Sequence, residues 1–379
     1  MLVREFLEWI DRAPPGRRAE AAHALARAYL HSKVDADTQS AMEAAITVLL
    51  DDPAEAVRFS LADALAASPD APRHVIIALT VDTPEIASVV LARSPLLIDA
   101  ELVDIAAAGA PPLQLAIARR PRVSGGVAAA IAEVGERDAC LALVQNAGAA
   151  IARISFRRMT ERFGEDGEIR EALMRRPGLP ADVRQMLIRR LGDALGTMMI
   201  ANAWAGEDRA IAVTRDACDR ATVALAAETQ RDELPALVEH LRVTGQLNTA
   251  LLLRAVCAGN VAMFETALAV LAHTPVERVA SLVRAGRTSL LRAVYAKAGL
   301  PAVAFDAFSA ALDTWRRFAE EGGNGDRYRV TRRVVEAVLA RYTDISDSEA
   351  YELATMLRRF AAEQARDAAR AFAREVKAA

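Results

Sequence analysis

The sequence predicts an all-α protein: a right-handed α-solenoid of HEAT-like helix pairs followed by a C-terminal helical bundle. Three observations carry that prediction. Alanine, the strongest helix former, is abundant, while aromatic residues make up only 5% of the 379 residues. Valine, isoleucine and threonine form no alternating runs of the kind a half-buried strand needs. A proline-punctuated pattern also recurs: "ALAASP" (64–69), "VLARSP" (90–95), "AIARRP" (116–121) and "ALMRRP" (172–177) share one frame. Pro69, Pro95 and Pro121 are 26 residues apart, and Pro177 follows after 56, twice 28. A period of this size at helical spacing is the mark of a stacked helical repeat.

Residues 1–50 read as two or three atypical helices, with Phe6, Leu7, Trp9 and Ile10 covering the open end of the array. The stretches "DDPAEAVRFSLADAL" (51–65), "DTPEIASVVLA" (82–92) and "GAPPLQLAIA" (109–118) read as helix starts, with Asp52 and Asp82 as N-caps and proline near the first helical position. Each repeat proline lacks an N–H and pushes the residue before it out of the helical region, so the first helix of a pair ends there. Fixed apolar positions flank it. Four residues before the prolines stand Leu65, Leu91, Ile117 and Leu173; two after, Ala71, Leu97, Val123 and Leu179; ten after, Leu79, Ile105, Ile131 and Leu187. Neither helix of a pair can bury its apolar stripe alone, so neighbouring pairs must share a core. Between Pro121 and Pro177 the pattern is less regular: a longer helix, a turn at Gly164–Gly167 and another helix.

Those repeats, with "DDPAEAVRFSLADALAASPDAP", "RRPGLPADV" and, downstream, "LLLRAVCAGNVAMFETALAVLAHTPVERV" (251–279) and "AVYAKAGLP" (293–301), carry a family resemblance. Over roughly residues 40–320 the sequence resembles the bacterial family known as domain of unknown function 2336, common in alphaproteobacteria. Its repeats are similar to HEAT-like and leucine-rich-variant arrays. The resemblance implies a helical fold and a bacterial cytoplasmic setting, and assigns no activity or residue role.

The repeat array with its capping helices is assigned to residues 1–192. Beyond it "GDALGTMMIANAW" (192–204) reads as a linker followed by helix. Residues 193–345 read as degenerate repeats or a bundle, with short helices broken at Gly245, Gly259 and Pro275 and caps at Asn248 and Thr274. "EEGGNGDRYR" (320–329) lacks the lysine and flanking strand of a phosphate loop and reads as a helix–helix loop. Residues 346–379 read as one long amphipathic helix with Ser346 and Glu349 at capping-box spacing. Its apolar face, Leu353, Leu357, Phe360, Phe372 and Val376, suits its own bundle or, alternatively, a homodimer.

A net charge of −3 and a pI near 6.1 lack the footprint of a general nucleic-acid binder. The basic residues are almost all arginine, lysine occurring only at 33, 297 and 377. Cys140, Cys218 and Cys257 are isolated in apolar helical contexts, and His23, His31, His74, His240 and His273 form no ligand pair. No catalytic residue, metal ligand or cofactor is therefore expected. The charged start of the chain and the lack of a long apolar run predict a cytoplasmic protein with no signal peptide and no membrane span.

One local charge excess stands out. Between Arg153 and Arg190 lie ten arginines and six acids. Arg153, Arg157, Arg158, Arg162, Arg175 and Arg176 are the candidate contacts for an anion or a partner, against the alternative of a solvated face laced with i, i+4 pairs. The expectation is a non-catalytic interaction scaffold or regulatory adaptor that binds another protein on its solenoid surface. The alternatives are a sensor of a small anionic ligand such as a nucleotide second messenger, and a nucleic-acid binder resembling HEAT-like DNA glycosylases.

Overall fold

The structure, a computed structural model, describes residues 9–10, 12–321, 327–340 and, towards the C-terminus, 355, 357–362, 365–366 and 369–370. The described chain is all-helical. Its one extended pairing is an isolated bridge between Val123 and Ala149. Two compact units, residues 1–179 and 180–379, divide it. Residues 192–201 do not form the expected linker: they continue a helix that begins at Ala181 and ends at Ala201.

The first unit contains α1 (Pro15–His31), α2 (Ala36–Val48), α3 (Glu55–Leu65), α4 (Arg73–Leu79), α5 (Pro84–Arg93), α6 (Asp99–Ala108), α7 (Pro111–Ala118), α8 (Gly125–Val134), α9 (Arg137–Gln145), α10 (Arg153–Phe163) and α11 (Gly167–Arg175). Alternate helices pack against one another. The odd-numbered helices follow in a row from α1 to α11, and α6, α8 and α10 form a second row. Leu65, Leu91, Ile117 and Leu173 sit on the odd helices and are fully buried. So is Leu143 on α9, which completes their series. The sequence period passed over this copy because Ala147 stands where the other copies carry proline.

The odd helices are stitched together at both ends. At the N-terminal ends, a side chain from one helix bonds the start of the next. Arg18 of α1 pairs with Asp52 (2.8 Å), Arg58 of α3 with Asp82 (2.7 Å) and Arg137 of α9 with Asp166 (2.8 Å). Gln114 of α7 takes the same place with an amide, accepting from the Glu136 N–H at 3.0 Å. Asp52 and Asp82 are therefore not the N-caps expected of them. Ala54 and Thr83 hold those positions, and each aspartate accepts a nearby N–H while facing the arginine of the previous odd helix. Of these three aspartates Asp166 alone caps directly, accepting from the Glu168 and Ile169 N–H groups.

At the C-terminal ends the residue just past one odd helix closes the carbonyls of the helix before it. Arg120 donates to the Leu91 and Ser94 carbonyls, Asn146 to those of Ala118 and Arg120, and Arg176 to those of Val144, Asn146 and Ala149. The last carbonyls of a helix have no partner within it and carry its negative dipole end, so a guanidinium or amide donor satisfies both demands.

In the second unit, α12 (Ala181–Ala201) and α13 (Glu207–Glu228) form a hairpin, followed by α14 (Leu234–Val243), α15 (Thr249–Cys257), α16 (Val261–Leu271), α17 (Val276–Arg284), α18 (Thr288–Lys297), α19 (Phe305–Glu320) and α20 (Arg327–Leu339). The hub is α15, every residue of which from Leu251 to Cys257 is buried. Helices α13, α14, α16, α19 and α20 surround it or one another. Phe264 stacks on Phe308 (4.8 Å between centroids), Tyr295 meets Phe305 edge-on, and the Trp315 indole N–H donates to the Val256 carbonyl at 2.8 Å. Asn248 caps α15 through the Leu251 N–H as expected, whereas Thr274 caps nothing: its hydroxyl turns back to the Ala272 carbonyl. Within the final segment Leu357 and Phe360 are buried; Leu353, Phe372, Val376, Ser346 and Glu349 lie outside the described residues.

Candidate functional site

The structure does not gather the six candidate arginines into one strip. Arg153, Arg157, Arg158 and Arg162 lie on α10. Two of these brace the neighbouring α8: Arg158 pairs with Glu133 (2.9 Å), and Arg162 donates to the Ala132 carbonyl at 2.9 Å while its guanidinium covers the Phe163 ring. Arg153 and Arg157 are exposed at the first turns of the helix. Arg175 pairs with Glu171 one turn back, and Arg176 is turned inward onto three carbonyls. Burial lowers the Arg176 and Arg120 pKa values, and the carbonyl oxygens supply the compensating dipoles.

Arg175 and Arg176 do share a groove. On α9 and α11 a depression of about 560 Å³ is lined by Val144, Gln145, Ala147, Glu168, Glu171, Ala172, Arg175, Arg176 and Pro177. A second, of about 540 Å³, runs over α7 and α9 and is lined by Leu115, Arg119, Arg137, Asp138, Leu141, Ala142, Gln145, Asn146 and Glu168. They share Gln145 and Glu168, so together they follow three successive odd helices. Their lining mixes apolar side chains such as Leu115, Leu141 and Val144 with amides and both signs of charge. Arg137 ties the rim together, bonding Asp166, Glu168 and Asp138, which raises its own pKa and holds Asp166 below the ordinary carboxylate range. The period alone did not reveal this surface, because its centre is the copy that lacks a proline.

The second unit holds the stronger concentration of positive charge. A groove of about 860 Å³ is lined by Arg209 and Arg220 of α13 and by Arg359, Arg366 and Arg370, with Asp208 and Asp216 as the acids and Ala212 and Val213 between. The spacing 359, 366, 370 places three arginines on one helical face, a signal readable in the sequence that the Arg153–Arg190 count overshadowed. Beneath Asp216 lies Arg254, buried on the hub helix. It donates to the Asp216 carboxylate and to its carbonyl (3.2 Å), and stands 5.9 Å from the Phe360 ring. The buried cation thus fixes α13 against α15 and the final segment.

Residues 86–346 match the model of a family described as uncharacterised proteins conserved in bacteria (DUF2336). The chain belongs to this family. The DUF2336 span begins inside α5 and so takes in the grooved face of α7, α9 and α11, the hub helix and the α12–α13 hairpin. No curated protein and no solved structure matches the chain.

Among the described residues, no group of three or more His, Cys, Asp or Glu side chains is placed to hold a metal ion. The thiols are pushed up by burial, Cys140 to about 11 and Cys257 to about 12, so neither is a thiolate near neutral pH. No described helix is long and apolar enough to cross a membrane.

Proposed function

We propose that the first unit is a right-handed array of HEAT-like helix pairs and that the protein is a non-catalytic scaffold or adaptor of the bacterial cytoplasm. Its partner is another protein, seated on the grooved face of α7, α9 and α11. The observation that carries this reading is the pair of confluent grooves, whose walls are held rigid by the stitching of Arg137, Asn146 and Arg176. A preorganised surface loses little entropy on binding. A lining that mixes apolar side chains with both signs of charge suits a peptide segment or helix carrying both signs, and suits nucleic acid poorly. The test compares wild type with Arg119→Glu/Gln145→Arg/Arg175→Glu, all rim positions outside the stitching. A protein retained by the wild type and lost by the variant, with the melting temperature unchanged, supports the reading. Equal capture by both contradicts it.

A second reading, binding of a small anionic ligand, is favoured by the five-arginine groove of the second unit rather than by the Arg153–Arg190 stretch. Arginine's planar fork matches phosphate oxygens pairwise. A thermal-shift screen of nucleotides against wild type and Arg359→Glu/Arg366→Glu tests it, since ligand at 100 times its Kd adds about 2.7 kcal/mol of stability. A shift in wild type alone supports it; no shift with any nucleotide removes it.

A further inference from the structure

We propose that the α12–α13 hairpin is a self-association surface, through which two copies of this chain pair as an antiparallel four-helix bundle. The hairpin departs from an ordinary surface by its exposed apolar side chains. Leu191, Leu195 and Met198 are 44%, 45% and 44% exposed and fall at i, i+4 and i+7, a single stripe along α12. Trp204, at the hairpin tip, is 65% exposed. This stripe is distinct from the face that joins the two helices. Gly192 and Gly196 lie on that inner face, where a Cβ at Gly192 would stand 2.3 Å from the Cys218 sulfur, so α12 and α13 approach closely with no room for the stripe between them.

The occupant follows from area and charge. The open parts of the four apolar side chains come to roughly 450 Å² per copy, more than half of the roughly 800 Å² that each partner of a standard interface contributes. A helix of 21 residues supplies about 30 Å of such a seam. On the stripe's own face the base of α12 carries Arg184, seven residues before Leu191, with Arg190 at its flank, while Arg189 turns to the opposite side and pairs with Asp193 at 3.4 Å; the tip starts α13 with Glu207 and Asp208, and the tip's own Arg209 belongs to the arginine-lined groove. An antiparallel seam centred on Leu195 sets the basic base of one copy beside the acidic tip of the other, twice by symmetry. A parallel seam would oppose like charges. The charge pattern therefore complements a second copy of the same hairpin. This inference is independent of the grooves of the first unit.

The experiment is sedimentation velocity and light scattering on the full chain, for wild type, Leu195→Glu/Met198→Glu, Arg184→Glu, Glu207→Arg and Arg184→Glu/Glu207→Arg. All positions are solvent-exposed or partly so, and circular dichroism and melting temperature verify folding. The expected result is a wild-type dimer, monomers for the apolar double variant and each single charge reversal, and recovery of the dimer when the two reversals are combined. A monomeric wild type overturns the proposal, whether or not it floats with anionic vesicles or binds a different protein. A dimer indifferent to Leu195→Glu/Met198→Glu also overturns it, and moves the contact elsewhere.

Discussion

The Arg176 guanidinium donates to the main-chain carbonyl of Asn146, and the Asn146 side chain in turn donates to the carbonyl of Arg120. Three residues that each follow an odd-numbered helix are thus linked through the ends of the helices before them. Removing one donor should leave several helix-end carbonyls without a partner. Hydrogen bonds to charged groups contribute about 1.5–3 kcal/mol, so Arg176→Met, which keeps the apolar stem, should lower the unfolding free energy by about that much. Arg176→Lys should restore only part of it, because an ammonium cannot span carbonyls of three residues in one plane. Urea denaturation measures both.

The N-terminal stitching predicts an acid dependence. The hydrogen bond from Arg58 holds Asp82 below the ordinary aspartate value of 3.8, and that from Arg137 does the same for Asp166. Burial works against ionisation at Asp52, yet Arg18 and the Ala54 N–H bring it down as well. A carboxylate whose folded pKa lies below its unfolded one stabilises the fold above the unfolded value, and that contribution is lost as pH falls through the folded one. The melting temperature should therefore hold from neutral pH to about 4 and drop below it. Asp82→Asn should start lower at pH 7 and lose less on acidification. An equal loss in both proteins would contradict the pairing.

Gly148 packs against the turn at Pro121, and a Cβ there would stand 2.0 Å from the Pro121 carbonyl oxygen. That contact seats the Val123–Ala149 bridge between successive pairs. Gly148→Ala should cost about 1–3 kcal/mol, the usual range for overpacking. Gly126→Ala, on α8 with nothing within 4 Å, should be neutral or stabilise by about 0.4–1 kcal/mol. Thermal unfolding of the two variants separates a steric demand from a general intolerance of substitution.

Much of the architecture is legible in the sequence because proline marks the end of each first helix and leucine keeps a fixed distance from it. Leu65, Leu91, Ile117 and Leu173 were readable on those grounds. Leu143 was not, since Ala147 breaks the punctuation although the helix and its buried face remain. Glycine misled at 192 and 196, where it reads as a linker but serves close packing against Cys218 and Thr214 inside a continuous helix. The arginine stitches were hidden for a different reason. Arg18, Arg58 and Arg137 meet aspartates 24 to 34 residues away, and only the fold brings those distances to hydrogen-bond length. The same holds for Arg158, Arg162 and Arg176, which the sequence offered only as members of a local charge excess.

The thiols offer a check on burial. With Cys140 at about 11, Cys257 at about 12 and Cys218 raised as well, all by burial first, the folded protein should resist maleimide at pH 7. Denaturant should expose three reactive thiols. Mass spectrometry after timed labelling reads the difference, and rapid labelling of native Cys257 would contradict the packing of the hub helix.

Helices α5, α7 and α9 of the first unit each depend on the residue that follows the next odd helix. Hydrogen exchange by mass spectrometry on wild type and Arg176→Met tests this dependence most directly. Protection should fall in α9, residues 137–145, the helix whose carbonyls Arg176 holds, as well as around the substitution itself. A loss confined to residues 167–179, with α9 exchanging as in the wild type, would contradict it.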